Sequence, residues 1–158
     1  MSKATPTRST NQRGNTINAI APDHYKTESG LQVWDVTRYM SGNMAQAFQY
    51  IYRAGHKESE VEDLRKAAAF LNDWKKNNDA PVMGNLYRNL EQHEAPLRDL
   101  LCSAEEWKRP ILNAIWYMDY FGDAIYGEEA RLYAYPRMME TLKSRITVLE
   151  RGAGGEPH

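Results

Sequence analysis

Between Asn43 and Lys66 the chain sets cations, amides and an aromatic ring at helical spacing. Gln46, Gln49, Tyr50 and Arg53 fall at i, i+3, i+4 and i+7, and His56 and Lys57 follow directly. Asn43, Tyr50, Arg53 and Lys57 are therefore expected to line one side of a groove. Asp63 and Lys66, three apart, share a face of the next segment and look into the same space. A planar ring offers a stacking surface, a guanidinium gives forked hydrogen bonds to phosphate oxygens, and lysines add point charge. Those are the requirements of a nucleotide site.

Each of these residues also has an architectural reading. Arg53 and Lys57 at the end of a helix, and Glu60, Glu62 and Asp63 at the start of the next, complement the helix dipoles without any ligand. Asp63 and Lys66 can form a surface pair worth about 0.2–0.5 kcal/mol. Spacing alone is compatible with both. The acids also permit a magnesium site, with Glu62 and Asp63 as the ligands, because hard carboxylate oxygens suit that ion. His24, Tyr25 and Lys26 form a polar trio before the fold begins. Trp34, Trp107, Trp116 and Tyr117 read as core. No GxxxxGK[ST] loop, GxGxxG turn, GxSxG elbow or HExxH pair occurs, which excludes the strand–loop–helix kinase design.

The elements that must position these groups are helical. Asn43 reads as an N-cap with Gln46 three residues on. Met44, Ala47, Phe48 and Ile51 then form an apolar stripe that Gly55 stops. Ser59 and Glu62 open a second helix whose stripe is Val61, Leu64, Ala68, Leu71 and Trp74 or Lys75. Together they predict an antiparallel hairpin over about 43–76. Before it, residues 30–40 suit a short helix or a strand, and residues 75–84 read as a linker.

Beyond the linker, Leu86, Leu90, His93 and Leu97 keep a helical spacing interrupted near Pro96. Ser103 and Glu106 open a further helix carrying Ile111, Ile115 and Met118, with Pro110 near its start. Leu132, Tyr135, Met139, Leu142, Ile146 and Leu149 repeat by threes and fours, with Pro136 marking the true helix start. A faint echo aligns residues 47–55 with 114–122, too sparse to argue duplication. The expected fold is all-α: an arm over 1–20, a core over 21–78, a helical region over 79–151 that packs on that core or on another subunit, and a frayed tail over 152–158.

Composition narrows the class. Twenty Lys and Arg balance 21 Asp and Glu, so no global basic field argues for nucleic acid. A single cysteine, Cys102, excludes an internal disulfide framework. No apolar run approaches the roughly 20 residues that cross a bilayer, and Met1–Asn18 is polar, so a cytoplasmic protein is expected.

One succession of residues goes further. Asp23-His24-Tyr25-Lys26, Gly30, Trp34-Asp35-Val36, Gly42-Asn43, Tyr50, Arg53-Ala54-Gly55, Lys57, Asp63-Leu64 and Lys66-Ala67 resemble the SaV-like phage protein family, formerly a domain of unknown function, which includes the nucleotide kinase of T7-like phages. The resemblance covers about a third of the chain. It implies phosphate transfer from a nucleoside triphosphate to a deoxynucleoside monophosphate by an all-α protein. It also implies site roles for His24, Arg53, Lys57 and Asp63 in catalysis and for Tyr25, Lys26, Asn43, Tyr50 and Lys66 in substrate binding. Gln49 departs from the family, which places a lysine there. Two other readings stand beside it: an all-α nucleoside triphosphate pyrophosphohydrolase, and a non-enzymatic phage effector that binds a host protein. A homo-oligomer is expected, with Met139–Leu149 as the interface.

Overall fold

A computed structural model describes residues 27, 29–57, 59–77, 90–121 and 129–154. The described residues form six α-helices and no strand, so the fold is all-α as expected. A short helix α1, Trp34–Thr37, resolves the ambiguous stretch before the hairpin. It leads into α2, Gly42–Arg53, and α3, Glu60–Lys76. Then come α4, Leu90–Ser103, a 3-10 turn at Glu106–Lys108 and α5, Arg109–Tyr120. A π-helical turn, Ala130–Ala134, runs directly into α6, Tyr135–Gly154. The calls on residues 1–26, on the linker beyond residue 77, on Leu86 and on Gly122 lie outside the described residues.

The hairpin forms because its two stripes have nowhere else to go. Met44, Ala47, Phe48 and Ile51 are fully buried on α2, facing Leu64, Ala67 and Leu71 on α3. Trp74, not Lys75, continues the α3 stripe, since indole gains from burial and an ammonium does not. Ala67 rather than Ala68 takes the central position. Gly55 has a φ of +85°, the left-handed conformation that ends α2 and turns the chain toward α3.

The second half closes over the hairpin. α5 packs on α2, α6 packs on α3 and α5, and α4 packs on α5 and α1. Ile111, Leu112, Ile115 and Met118 share one core with α2 and α3. Four expectations are corrected here. Pro96 lies inside α4, which continues through it to Ser103 at the loss of one backbone hydrogen bond. Ser103 ends α4 instead of opening the next helix, which starts at Arg109 with Pro110 in its first turn. The α6 residues Met139, Leu142, Ile146 and Leu149 pack against the chain's own core, while Leu132, expected to begin the same stripe, is exposed. Finally, α6 runs to Gly154, past the expected start of the tail.

Candidate functional site

α2 ends at Arg53, and its guanidinium turns back across α3. Nη2 donates to Asp63 Oδ1 at 2.8 Å, with the arginine side chain 13% exposed and the aspartate 0%. The arginine carbon Cζ also lies 4.6 Å from the centre of the Tyr50 ring. Lys66 Nζ sits 5.5 Å from the same ring, while the rest of that side chain reaches solvent. Tyr50 in turn stacks on Phe70 of α3, centroids 5.8 Å apart and planes within 15°. Both rings are half-buried. The result is a strip of two parallel aromatic rings across the hairpin, flanked by two cations and seated over a sealed carboxylate.

Sequence spacing foresaw Tyr50, Arg53, Asp63 and Lys66 as neighbours, and the structure brings these four together. Phe70 was missed, although Asp63, Lys66 and Phe70 fall at i, i+3 and i+7 of α3. Lys57 lies beyond Gly55, exposed and without a hydrogen bond or ion pair among the described residues. His24, Tyr25 and Lys26 lie outside the described residues.

Two expectations change. Asn43 is not the cap of α2 and does not join the cluster. Ser41 is the cap residue, and Asn43 Nδ2 donates to Asp73 Oδ2 at 2.7 Å at the opposite end of the hairpin. Ten residues of helix separate Asn43 from Arg53, about 15 Å at 1.5 Å per residue. Glu62 and Asp63 do not form a joint ligand pair, because adjacent helical residues point about 100° apart. Asp63 faces the interior while Glu62 faces solvent, and no group of three potential metal ligands occurs among the described residues. Asp63 itself is not poised to accept a substrate proton. It is sealed from water, holds Arg53 through Oδ1, and leaves Oδ2 buried without a hydrogen-bond partner.

What fixes the end of α2 is a residue that no motif marks. Lys108 is 0% exposed, and its ammonium uses all three protons. It donates to Tyr52 O at 3.1 Å, Ala54 O at 2.6 Å and Glu105 Oε1 at 3.0 Å. The two carbonyls belong to the last turn of α2 and to its C-cap residue Ala54, where no intrahelical donors are left for them. A cation there also meets the negative end of the helix dipole. Glu105 is held in place from three sides, with Trp107 Nε1 donating to Oε2 and His56 Nε2 contacting Oε1 at 3.0 Å. Partial burial pushes the Glu105 carboxyl up, but the Lys108 and Trp107 hydrogen bonds and the Lys108 charge outweigh it and hold the group below its ordinary range.

The start of α2 is anchored as firmly. Asp119 of α5, buried, accepts from the Ser41 backbone N–H at 2.9 Å and from its hydroxyl at 2.5 Å. Gln49, where the resembling family has lysine, donates to Thr37 Oγ1 at 3.2 Å and ties α2 to α1. That amide serves packing between helices, so one expected cation is replaced here by a structural contact.

Residues 20–72 match the model of a family described as a protein of unknown function (DUF3310). The matched segment contains α1, α2 and most of α3, hence the whole aromatic and cationic strip. No curated protein and no solved structure matches the chain.

Proposed function

We propose that the strip on the hairpin is a nucleotide site and that the chain is a nucleoside-monophosphate kinase working without a phosphate loop. The observation that carries this reading is the bracketing of the Tyr50 ring by Arg53 and Lys66, with Asp63 holding the arginine from below. Phosphoryl transfer asks the protein for positioning and for neutralisation of charge spreading over the transferred group. Arg53 is already fixed by Asp63, so little rotamer freedom is lost when it meets a phosphate. Lys57 and Lys66 are exposed and available to the phosphate oxygens, and the Tyr50–Phe70 pair offers an apolar ledge for sugar and base. An oxygen of the acceptor monophosphate attacks the γ-phosphorus of the donor. The bond from that phosphorus to the β-bridging oxygen breaks, and a nucleoside diphosphate leaves with the electron pair. Asp63 acts as the orienting group for Arg53. Magnesium entering with the triphosphate donor would be held by the phosphate oxygens, since Glu62 and Asp63 face apart.

The pyrophosphohydrolase reading requires carboxylates on facing helices. α2 contains neither Asp nor Glu, so α3 has no acidic partner across the hairpin.

A product assay tests the proposal. The purified chain is incubated with each deoxynucleoside monophosphate and a triphosphate donor, with and without magnesium, and products are separated by ion exchange. Diphosphate formed from the monophosphate, reduced about 10²-fold or more in Lys57→Ala or Lys66→Ala chains that unfold at the parental temperature, is the expected result. Pyrophosphate from the triphosphate alone would move the assignment to the hydrolase. No turnover, together with no nucleotide-dependent thermal shift, would overturn the site.

A further inference from the structure

The turn that carries Lys57 is gripped by residues from outside the matched segment. Glu60, the first residue of α3, folds its side chain back over Gly55, where a Cβ would meet Glu60 Cδ and Oε2 at 3.8 Å. Arg145 of α6 holds that carboxylate, with Nε donating to Oε1 at 3.1 Å and Nη2 donating to the same oxygen at 2.8 Å. The guanidinium is itself stacked, its Cζ 4.7 Å from the centre of the Trp107 ring. Trp107 donates to Glu105, and Glu105 contacts His56 in the turn. Glu60, Arg145, Trp107, Glu105 and His56 thus form a continuous run of contacts that starts and ends on the same turn. Lys57 stands between its two ends, one residue after His56 and three before Glu60.

We propose that Arg145 is a positioning residue for the site, placing Lys57 by holding Glu60 over the turn; the proposal rests on the nucleotide reading. Stability alone gives little reason for the arrangement. The Arg145 and Glu60 side chains are 35% and 22% exposed, and a pair open to water to that degree contributes little. The dipole of α3 favours an acid at its start without asking for a partner, and Glu62 and Asp63 stand in the same first turn. What the pair adds is geometry. The Lys57 side chain is exposed and makes no hydrogen bond or ion pair among the described residues, so what restrains it is the backbone that presents it. A backbone fixed on both sides has less freedom to lose when the ammonium meets a phosphate. Arginine suits the task, because its planar fork stacks on the indole while directing two N–H groups at one carboxylate oxygen. Glu105, Trp107 and Arg145 all lie beyond residue 72, whereas Tyr50, Arg53, Lys57 and Lys66 lie within the matched segment. The second half of the chain thereby frames a site whose ligand-facing groups belong to the first.

The test is a double-mutant cycle in the full chain. Turnover of a deoxynucleoside monophosphate with ATP is measured for the parent, Arg145→Met, Lys57→Ala and the double variant. Methionine keeps an apolar stem against Trp107 and removes the fork. Arg145→Met is expected to lower kcat about 10- to 100-fold while KM moves by less than about threefold. A loss that acts through Lys57 disappears once Lys57 is gone, so Arg145→Met should cost the Lys57→Ala chain nothing further. Amide hydrogen exchange at Gly55, His56 and Lys57 should quicken in Arg145→Met with or without nucleotide. Should Arg145→Met melt below the assay temperature, Glu60→Gln takes its place with the same outcomes expected, since it keeps the side chain over Gly55 and removes only the charge. An unchanged kcat, exchange unaltered at the turn, or a loss that adds to that of Lys57→Ala would overturn the proposal and leave the nucleotide reading standing. A parental chain without turnover would overturn both.

Discussion

The Arg53–Asp63 pair makes an asymmetric prediction. Asp63 is completely buried, whereas Arg53 keeps 13% of its side chain exposed and rests on the Tyr50 ring. Arg53→Met therefore strands a carboxylate with no route to water, which costs about 3–5 kcal/mol when one member of a buried pair is removed. Asp63→Leu strands a guanidinium that can swing toward solvent on its apolar stem, so its cost is smaller, about 1–2 kcal/mol. The double variant Arg53→Met/Asp63→Leu deletes both charges beside an aromatic stack and should lie within about 1 kcal/mol of the parent. The two single costs then fail to add by about 3–6 kcal/mol. Urea unfolding with an unchanged slope measures each term. In a chain of this size the single Arg53→Met change should lower the melting temperature by roughly 6–20 °C. Additive single costs would refute the reasoning, and so would Asp63→Leu proving the more damaging change, because either means that the carboxylate is not sealed.

Lys108→Met should destabilise by about 2–4 kcal/mol, since it leaves the Tyr52 and Ala54 carbonyls without donors in a closed site. Hydrogen exchange should show the loss concentrated in the last turn of α2, and uniform loss across the chain would contradict the capping role. The pH profile follows from two groups of opposite kind. The Glu105 carboxyl lies below its usual 4.5, so its contribution is complete above that value and is lost as pH falls through the lowered one. Tyr117 is raised above 10.0 by its hydrogen bond to Glu94 and by burial, and Tyr135 by burial, so their contribution is complete below 10.0 and is lost at higher pH. Thermal melts should be flat through neutrality and fall at both ends, with Glu105→Gln flattening the acid limb and Tyr135→Phe reducing the alkaline one.

What could be read from the sequence followed from periodicity. Met44, Ala47, Phe48 and Ile51 have one arrangement that buries them all, a helix, and Gly55 adopts the positive φ that stops it. The cluster of Tyr50, Arg53, Asp63 and Lys66 followed once those residues were placed on two helices packed face to face. Lys108 and Asp119 could not be read in this way. Each is a charged residue in the interior that meets groups more than fifty residues earlier in the chain, at the two ends of α2. A local pattern cannot show that a lysine will meet two unpaired carbonyls or that an aspartate will meet a helix start. The stripe on α6 was visible, but whether it meets its own core or a neighbour depends on how α3 and α5 present their surfaces. Pro96 misled because its penalty, a lost hydrogen bond and a ring clash with the preceding turn that together cost about 3 kcal/mol, is offset by the burial of Leu97 and Leu100 on the same helix.

The placement of Asn43 separates architecture from chemistry within the resembling segment. Asn43 and Asp73 close the open end of the hairpin with one polar contact, and Arg53 and Asp63 close the end nearest the turn with another. Between these clasps the interface is apolar, so the two contacts fix which residues of α2 lie opposite which residues of α3. A slip of α3 by one residue would rotate Asp63 about 100° away from Arg53 and separate Phe70 from Tyr50. The motif residues thus divide into those that set the register, Asn43, Gly55 and Asp63, and those left at the surface by that register, Lys57 and Lys66, with Arg53 and the Tyr50 ring between them. Loss of Asn43 should accordingly lower stability while leaving any nucleotide affinity near the parental value. Loss of Lys66 should do the reverse, and the two effects can be read in one set of thermal melts with and without nucleotide.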